Sequence, residues 1–303
     1  MKLRRRYLLT CLFAVLSAYF AFGQSEAILK IGLVADPQYA DKDPSGQRHY
    51  RESIWKLEEA IDTFNFYGVD FVQNLGDIID AYRASYDSIL PIYKKLNPTI
   101  ENYHLLGNHD FSVDSSQLNK LREILSMPDY YYSYSKKGWR FIVLDATDIS
   151  FYSSSLHKRD SSEVLPYFQA AEGKPNHHDW NGAVGDDQLN WLKQELKDAD
   201  LRNQKVILFS HLPLLPRNNA HNLWNDEQIV DLIEDKPQVV AFINGHNHSG
   251  NYEYKEGINF ITIHGMVDTR ISSYAILEIF DDSLQLIGFG NQRTIPLIYE
   301  RKD

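Results

Sequence analysis

Side chains able to hold a metal ion or move a proton stand in five short blocks along this chain. They are Asp36-Pro37-Gln38, Gly76-Asp77-Ile78-Ile79-Asp80, Gly107-Asn108-His109-Asp110, His211 and Gly245-His246-Asn247-His248. Carboxylates, carboxamides and imidazoles are oxygen and nitrogen ligands for hard to borderline divalent cations. Imidazole also gains and loses a proton near neutral pH. The one cysteine, Cys11, lies in the N-terminal apolar run, so thiolate sites and disulfides are excluded from everything that follows it. Taken singly, each block says little. Asp-Pro-Gln is a common tripeptide, Gly-Asp marks many turns, and a lone histidine after an apolar run is more often a packing or surface residue than a ligand.

What gives the blocks weight is the kind of element each one ends. Apolar runs at 29–35, 71–75, 103–106, 205–210 and 239–244 stop at Asp36, Gly76-Asp77, Gly107-Asn108, His211 and Gly245-His246. Runs of this length that end in polar residues read as buried strands. Five such ends predict loops gathered along one edge of a central sheet pair, where layered α/β proteins build their sites. Helical spacing predicts helices over 53–67, 87–96 and 186–196, the last with Leu189, Leu192 and Leu196 inward. Segments 258–264, 273–280 and 284–289 read as strands joined by turns, hence antiparallel pairs. The stretch 152–180, rich in Ser, Asp, Lys and His, reads as a long surface loop beside the site.

Residues 1–23 read as a secretory signal peptide. Lys2, Arg4, Arg5 and Arg6 precede an apolar run from Tyr7 to Phe22, and Ala21 and Gly23 supply small residues for cleavage before Gln24. The alternative is a retained anchor, but the run is shorter than the roughly 20 residues of a spanning helix, and no later segment is apolar enough to span. The expected location is therefore exported, periplasmic or secreted, without stable membrane insertion after cleavage. Of 31 basic residues four leave with the leader, so 27 face 41 acidic ones and the formal charge moves from -10 to about -14. Such a field repels nucleic-acid backbones, so nucleic acid is not an expected partner. Residues 24–303 show no internal repeat or low-complexity linker and read as one domain.

In order along the chain, Asp-x-Gln, Gly-Asp-x-x-Asp, Gly-Asn-His-Asp, a strand-terminal His and Gly-His-Asn-His resemble the signature of calcineurin-like metallophosphoesterases, from about Leu29 to Gly290. The resemblance implies an α/β (α+β) fold, a four-layer α-β-β-α sandwich with two packed mixed sheets. It implies two divalent cations, with Asp77 bridging, Asp36, Gln38 and His248 on one ion, and Asn108, His211 and His246 on the other. His246 and His248 share a face only if the backbone between them is extended. His109 matches a histidine near the substrate, with Asp110 as its expected orienting partner, and the expected nucleophile is water or hydroxide bridging the metals.

Most members carry Asp-x-His where this chain has Gln38. A neutral, harder amide oxygen suits Mn²⁺ better than Zn²⁺, with Fe, Zn or Mg as other candidates. Asp80 stands where purple acid phosphatases carry a tyrosine ligand, and reads as a supporting or helix-capping residue. With the stretches 32–41, 48–51, 140–146, 181–182 with 188–192, and 211–213, the chain is similar to the manganese-dependent ADP-ribose/CDP-alcohol diphosphatase group. That resemblance implies hydrolysis of the diphosphate bond in small nucleotide conjugates. Other readings are an exported phosphodiesterase or phosphomonoesterase, or a metal-dependent binding protein on the same fold. Candidate substrate contacts are Arg48 and Arg51 for the diphosphate, Tyr39, Tyr50 and Phe111 for a base, and the Asn181-Gly182 loop. His264 reads as a supporting residue. His49, His104, His157, His177, His178 and His221 read as surface or packing residues.

Overall fold

Strands that are apolar at every position need cover on both faces, and the fold supplies it with two stacked sheets and an outer helical layer on each. A computed structural model describes residues 26–299; the expected leader, with Cys11, lies outside them. In chain order the strands are β1 (Leu29–Val34), β2 (Phe71–Asn74), β3 (Glu101–Tyr103), β4 (Tyr132–Lys136), β5 (Trp139–Val143), β6 (Lys205–Phe209), β7 (Val239–Asn244), β8 (Asn251–Lys255), β9 (Ile258–Thr262), β10 (Ser273–Ile279), β11 (Leu284–Gly290) and β12 (Ile295–Leu297). The α-helices are α1 (Ser53–Tyr67), α2 (Arg83–Tyr93), α3 (Leu121–Ile124), α4 (Ser161–Ala170), α5 (Asp186–Leu201) and α6 (Asp226–Ile233).

One sheet has the order β12-β11-β10-β1-β2-β3 and the other β4-β5-β6-β7-β9-β8. Side chains alternate between faces along a strand, and the second sheet shows the result. Phe141, Val143, Ile207 and Phe209 join the core shared with the first sheet. Ile142, Leu144, Val206 and Leu208 join the layer under α5 and α6. The Phe71 ring of β2 meets Phe141 of β5 edge-on at 5.0 Å, so the two sheets interlock directly. On the far side of the first sheet, α1 lays Phe64 over Gly32, where a Cβ would come within 3.0 Å of the ring. Helix, sheet, sheet, helix is the predicted α-β-β-α order.

The strands that matter for the site run in parallel. β1 pairs β2 and β2 pairs β3, while β5 pairs β6 and β6 pairs β7, all parallel. Their C-terminal ends therefore collect on one edge, as the interrupted apolar runs predict.

Three expectations change. β9 pairs β7 and β8 in the second sheet, whereas β10 pairs β1 and β11 in the first, so only β10 and β11 form the predicted antiparallel pair. The segment 152–180 contains α4, started by a capping box in which the Asp160 side chain accepts the Ser162 N–H and Glu163 reaches back to the Asp160 amide. α2 runs over Arg83–Tyr93 rather than 87–96, one turn earlier than the spacing predicts, and the exposed Asp87 becomes an i,i+4 partner of Arg83 at 2.7 Å. Among the described residues no helix is long and apolar enough to cross a membrane.

Candidate metal centre

Five loops bring their polar residues to one buried point. Asp36, Asp77 and His211 are fully buried, and Gln38 and His246 nearly so. Around Asp77 they form two groups. In one, His211 Nε2 lies 3.3 Å from Asp77 Oδ2, 3.2 Å from Asn108 Oδ1 and 3.2 Å from His246 Nδ1. In the other, the Gln38 amide lies 2.9 Å from Asp77 Oδ2 and 3.1 Å from His248 Nε2, which is 3.5 Å from Asp36 Oδ1. Donors about 2.1 Å from one cation and about 90–110° apart lie about 3.0–3.4 Å from each other. The spacing fits that geometry.

Hydrogen bonds behind the imidazoles decide which nitrogens face inward. His211 Nδ1 donates to the Leu75 carbonyl at 2.8 Å. His246 Nε2 donates to Asn181 Oδ1 at 3.1 Å, since the Asn181 amide nitrogen is already committed to the Asn176 and Ala220 carbonyls. His248 Nδ1 donates to Asp268 at 3.0 Å. With the rings neutral, His211 turns a lone pair towards the Asp77 and Asn108 oxygens, His248 turns one towards Asp36, and His246 Nδ1 faces His211 Nε2, an arrangement that repels itself unless a cation or added protons sit between. Gln38 Oε1 is buried without a hydrogen-bond partner. Turning that amide over would present the oxygen to the other ligands. Donor set, spacing and this orphaned oxygen all fit divalent metal ions.

Backbone conformation adds to the picture. Asp36, Gln38, Asp77 and His246 all have positive φ, between 42° and 67°. Non-glycine residues rarely adopt such angles, and they cluster at functional sites. Glycines allow the loops to close: a Cβ on Gly107 would stand 2.2 Å from Asp77 Oδ1, and one on Gly245 would stand 2.7 Å from Asp36 Oδ2.

The calcineurin-like phosphoesterase family model matches residues 29–250 of the chain. The chain belongs to the calcineurin-like phosphoesterase family. This phosphoesterase is 30% identical to a manganese-dependent ADP-ribose/CDP-alcohol diphosphatase from Oryza sativa subsp. japonica, over 95% of the chain and 99% of the relative. It is 29% identical to the Homo sapiens protein of the same name, over 88% of the chain and 91% of that protein. A solved dimetal phosphatase from Danio rerio superposes with a TM-score of 0.78 at 26% identity, covering 91% of this chain and all of that one. The phosphoesterase is thus a hydrolase acting on phosphoester or phosphoanhydride bonds.

One sequence expectation about the phosphoesterase's centre resolves and another needs correction. His246 is left-handed, so the condition for a shared face with His248 is not met; one turns to His211 and the other to Asp36 and Gln38. Nor does Asp110 orient His109. Its buried carboxylate accepts the amides of Asp77 (2.8 Å), Ile78 (3.1 Å) and Gly107 (2.9 Å) and the Tyr86 hydroxyl (2.8 Å), tying two ligand loops together. The carboxylate beside His109 is Asp80, 3.3 Å from Nδ1, and Asp80 also receives Lys42. Burial works against a charged His109, and the Asp77 and Asp80 carboxylates outweigh it, raising its pKa.

Substrate-side expectations divide. Arg48, His109, Trp180 and His221 line a cavity of about 410 Å³ over the ligands, and a further cavity of about 280 Å³ adjoins it past Arg48 and His221. Arg51 instead pairs with Asp41 and Asp43 in solvent. Phe111 is buried against Tyr152, Tyr39 packs on the main core, and Tyr50 is buried with Ala40 and Val267. Asn181 acts from behind His246, and Gly182 is buried where a Cβ would meet the Ala146 carbonyl at 2.5 Å. Sequence reasoning missed Asp268, Trp180 and His221. Only Trp180 left a signal, its position directly before Asn181-Gly182.

Titration of the phosphoesterase's metal-free ligands gives a testable consequence. Burial alone lowers the His211 and His248 imidazoles, but Asp77 pushes His211 up to about 9, and Asp36 with Asp268 pushes His248 up to about 10. Both are protonated at neutral pH without metal and must lose a proton to ligate. Mn²⁺ added to chelator-stripped protein at pH 7 should release about two protons per chain, and affinity should rise with pH until those values are passed. Dye-monitored proton release in weak buffer checks this; metal uptake without proton release would contradict it.

Proposed function

We propose that the enzyme uses two divalent cations, Mn²⁺ by preference, to hydrolyse the diphosphate bond of nucleotide conjugates such as ADP-ribose and CDP-alcohols. The observation that carries the reading is the pair of donor groups meeting at Asp77, each with its imidazole lone pairs fixed inward from behind. Asp36, Gln38, Asp77 and His248 would hold one ion, and Asp77, Asn108, His211 and His246 the other. Bound there, the ions would supply Lewis-acid polarisation of the phosphoryl group and a water acidic enough to attack near neutral pH.

The chain's own residues supply the rest. His109, in the cavity wall and held by Asp80, donates a proton to the departing oxygen. Arg48, at the junction of the two cavities, sets a positive charge beside the phosphate that does not react. No side-chain nucleophile is required, so attack is in line without a covalent intermediate. The names of the relatives and the neutral amide ligand Gln38 support the diphosphate substrate and manganese. The basic, apolar leader supports an exported enzyme.

The test is to load the purified protein with Mn²⁺ and offer ADP-ribose, CDP-choline, a phosphodiester and a phosphomonoester. Release of AMP and CMP at a kcat/KM above that for the simple esters is expected. Turnover of monoesters or diesters alone would reject the diphosphatase reading while leaving the phosphoesterase intact.

A further inference from the structure

The two cavities over the centre differ in chemistry. Trp180 lines the larger and not the smaller. The smaller, of about 280 Å³, shares Arg48, His221 and the ligands His246 and His248 with its neighbour and adds Ser45, Gln47, Asn247 and Ser249. No aliphatic side chain and no Phe, Tyr or Trp ring lines it. Among the described residues, nothing hydrogen-bonds the side chains of Ser45, Gln47, Asn247 or Ser249. Asp268, the one carboxylate on this wall, is engaged by His248 at 3.0 Å. Four free hydroxyl and carboxamide groups offer a ligand donors and acceptors, with no surface on which to stack.

The backbone of that wall is pinned. Ser45 and Arg48 exchange amide-to-carbonyl bonds at 3.1 and 3.0 Å, and the Gln47 carbonyl accepts the Thr269 amide at 2.7 Å. Thr269 belongs to the turn whose carbonyls the buried Lys56 ammonium holds. On the other side the Asn247 carbonyl accepts the Gly250 amide at 2.9 Å. His221 is oriented as well. Asn219 Oδ1 accepts the His221 backbone amide at 3.1 Å, which fixes the way that carboxamide faces, and His221 Nδ1 lies 3.2 Å from the same oxygen. Nδ1 therefore donates, and in the neutral ring Nε2 is left as an acceptor. Nε2 has no partner among the described residues and is not one of their buried orphaned atoms. In a ring that lines both cavities, it is the polar atom accessible from them.

We propose that the smaller cavity is a polyol subsite, seating a hydroxylated half of the conjugate such as a pentose or glycerol phosphate, with His221 Nε2 accepting a hydrogen bond from one of its hydroxyls. The inference rests on the diphosphatase reading and adds which conjugates the site selects. A hydroxyl donates to Nε2 and exchanges bonds with the serine and carboxamide groups around it. A trimethylammonium group has no proton to give, and the aromatic cage that suits such a cation is missing here. A nucleobase seeks a π face, which Trp180 supplies in the larger cavity alone.

The experiment compares CDP-glycerol with CDP-choline, which share a nucleotide and differ in the second half, on the Mn²⁺-loaded full chain at pH 8. The proteins are the native chain, His221→Phe and Gln47→Ala. Native kcat/KM should favour CDP-glycerol about ten-fold. His221→Phe keeps a ring beside Trp180 and His246 but has no acceptor, and should cut that ratio about five-fold. Gln47→Ala, at an exposed position, should cut it about two-fold. Calorimetry should show glycerol 3-phosphate binding more tightly than phosphocholine or inorganic phosphate, with the advantage reduced in His221→Phe. A native preference for CDP-choline, equal turnover of the two, or a ratio that neither variant lowers overturns the proposal. Should the native protein cleave neither conjugate yet bind glycerol 3-phosphate in this His221-dependent way, the subsite stands and the diphosphatase reading falls; without such binding both fall.

Discussion

Asp77→Asn should leave a folded protein that holds at most one metal ion per chain and turns over at least about a thousand-fold more slowly. Asparagine tolerates the left-handed backbone that Asp77 adopts, and its oxygen still accepts the His109 amide, now 2.8 Å from Asp77 Oδ1. What disappears is charge. The group of Asn108, His211 and His246 has no other anionic member, so without Asp77 it offers a dication only neutral donors. The group of Asp36, Gln38 and His248 keeps Asp36 and should retain partial affinity. Asp77 also draws protons onto its surroundings, since His211 and His109 hold its pKa far below the usual carboxylate range even though burial opposes this. The variant should therefore release fewer protons on loading. Elemental analysis with kcat on the same preparation decides the matter: two ions per chain and turnover within ten-fold of native would reject the proposed bridging role of Asp77.

Loss of the His109 side chain should cost about 10²- to 10⁴-fold in kcat, the usual range for a general acid, with metal content unchanged. His109→Ala removes no ligand, because the His109 contact with Asp77 is made by the backbone amide. Asp80→Asn should give a smaller defect of the same kind, since it removes the charge beside His109 Nδ1 and leaves the ring in place. A leaving group that needs no proton separates protonation from phosphoryl stabilisation. With a p-nitrophenyl ester of a nucleotide the His109→Ala defect should shrink by an order of magnitude or more. An undiminished defect would assign His109 to the phosphoryl oxygens instead.

Much of this centre could be read from the chain because its signal is local. A strand buried on both faces must be apolar throughout, so a carboxylate or imidazole at its end, as at Asp36, His211 and His246, stands out against what precedes it. The strand ends gave the edge on which the site is built, whereas the four-layer order came from the resemblance that the five blocks carry together. Signals that depend on distant partners stayed hidden. Asp110 looks like a neighbour for His109, yet the amides of Asp77 and Ile78, brought close only by the fold, claim its carboxylate. Asp268 sits in an unremarkable turn until that turn is anchored by the buried Lys56 ammonium, which donates to the carbonyls of Met266, Val267 and Thr269. β9 and β10 read alike as strands, and nothing local says that the chain changes sheet between them. α4 was masked by its polar surroundings and Pro166, although Asp160-x-x-Glu163 announced its start.

The contorted backbone at Asp36, Gln38, Asp77 and His246 sets an order of events for maturation. Each such residue costs about 1–3 kcal/mol, while a single side chain as buried as Phe71 or Phe141 contributes about 1.5–3 kcal/mol, so the finished sheets can hold all four unaided. The ends of the centre are far apart in the chain, with 210 residues separating Asp36 from His246. No fragment short of both sheets can assemble the ligands, so ions are captured by a completed scaffold rather than recruited to build it. Stripping the ions should therefore leave the scaffold standing and ready to reload.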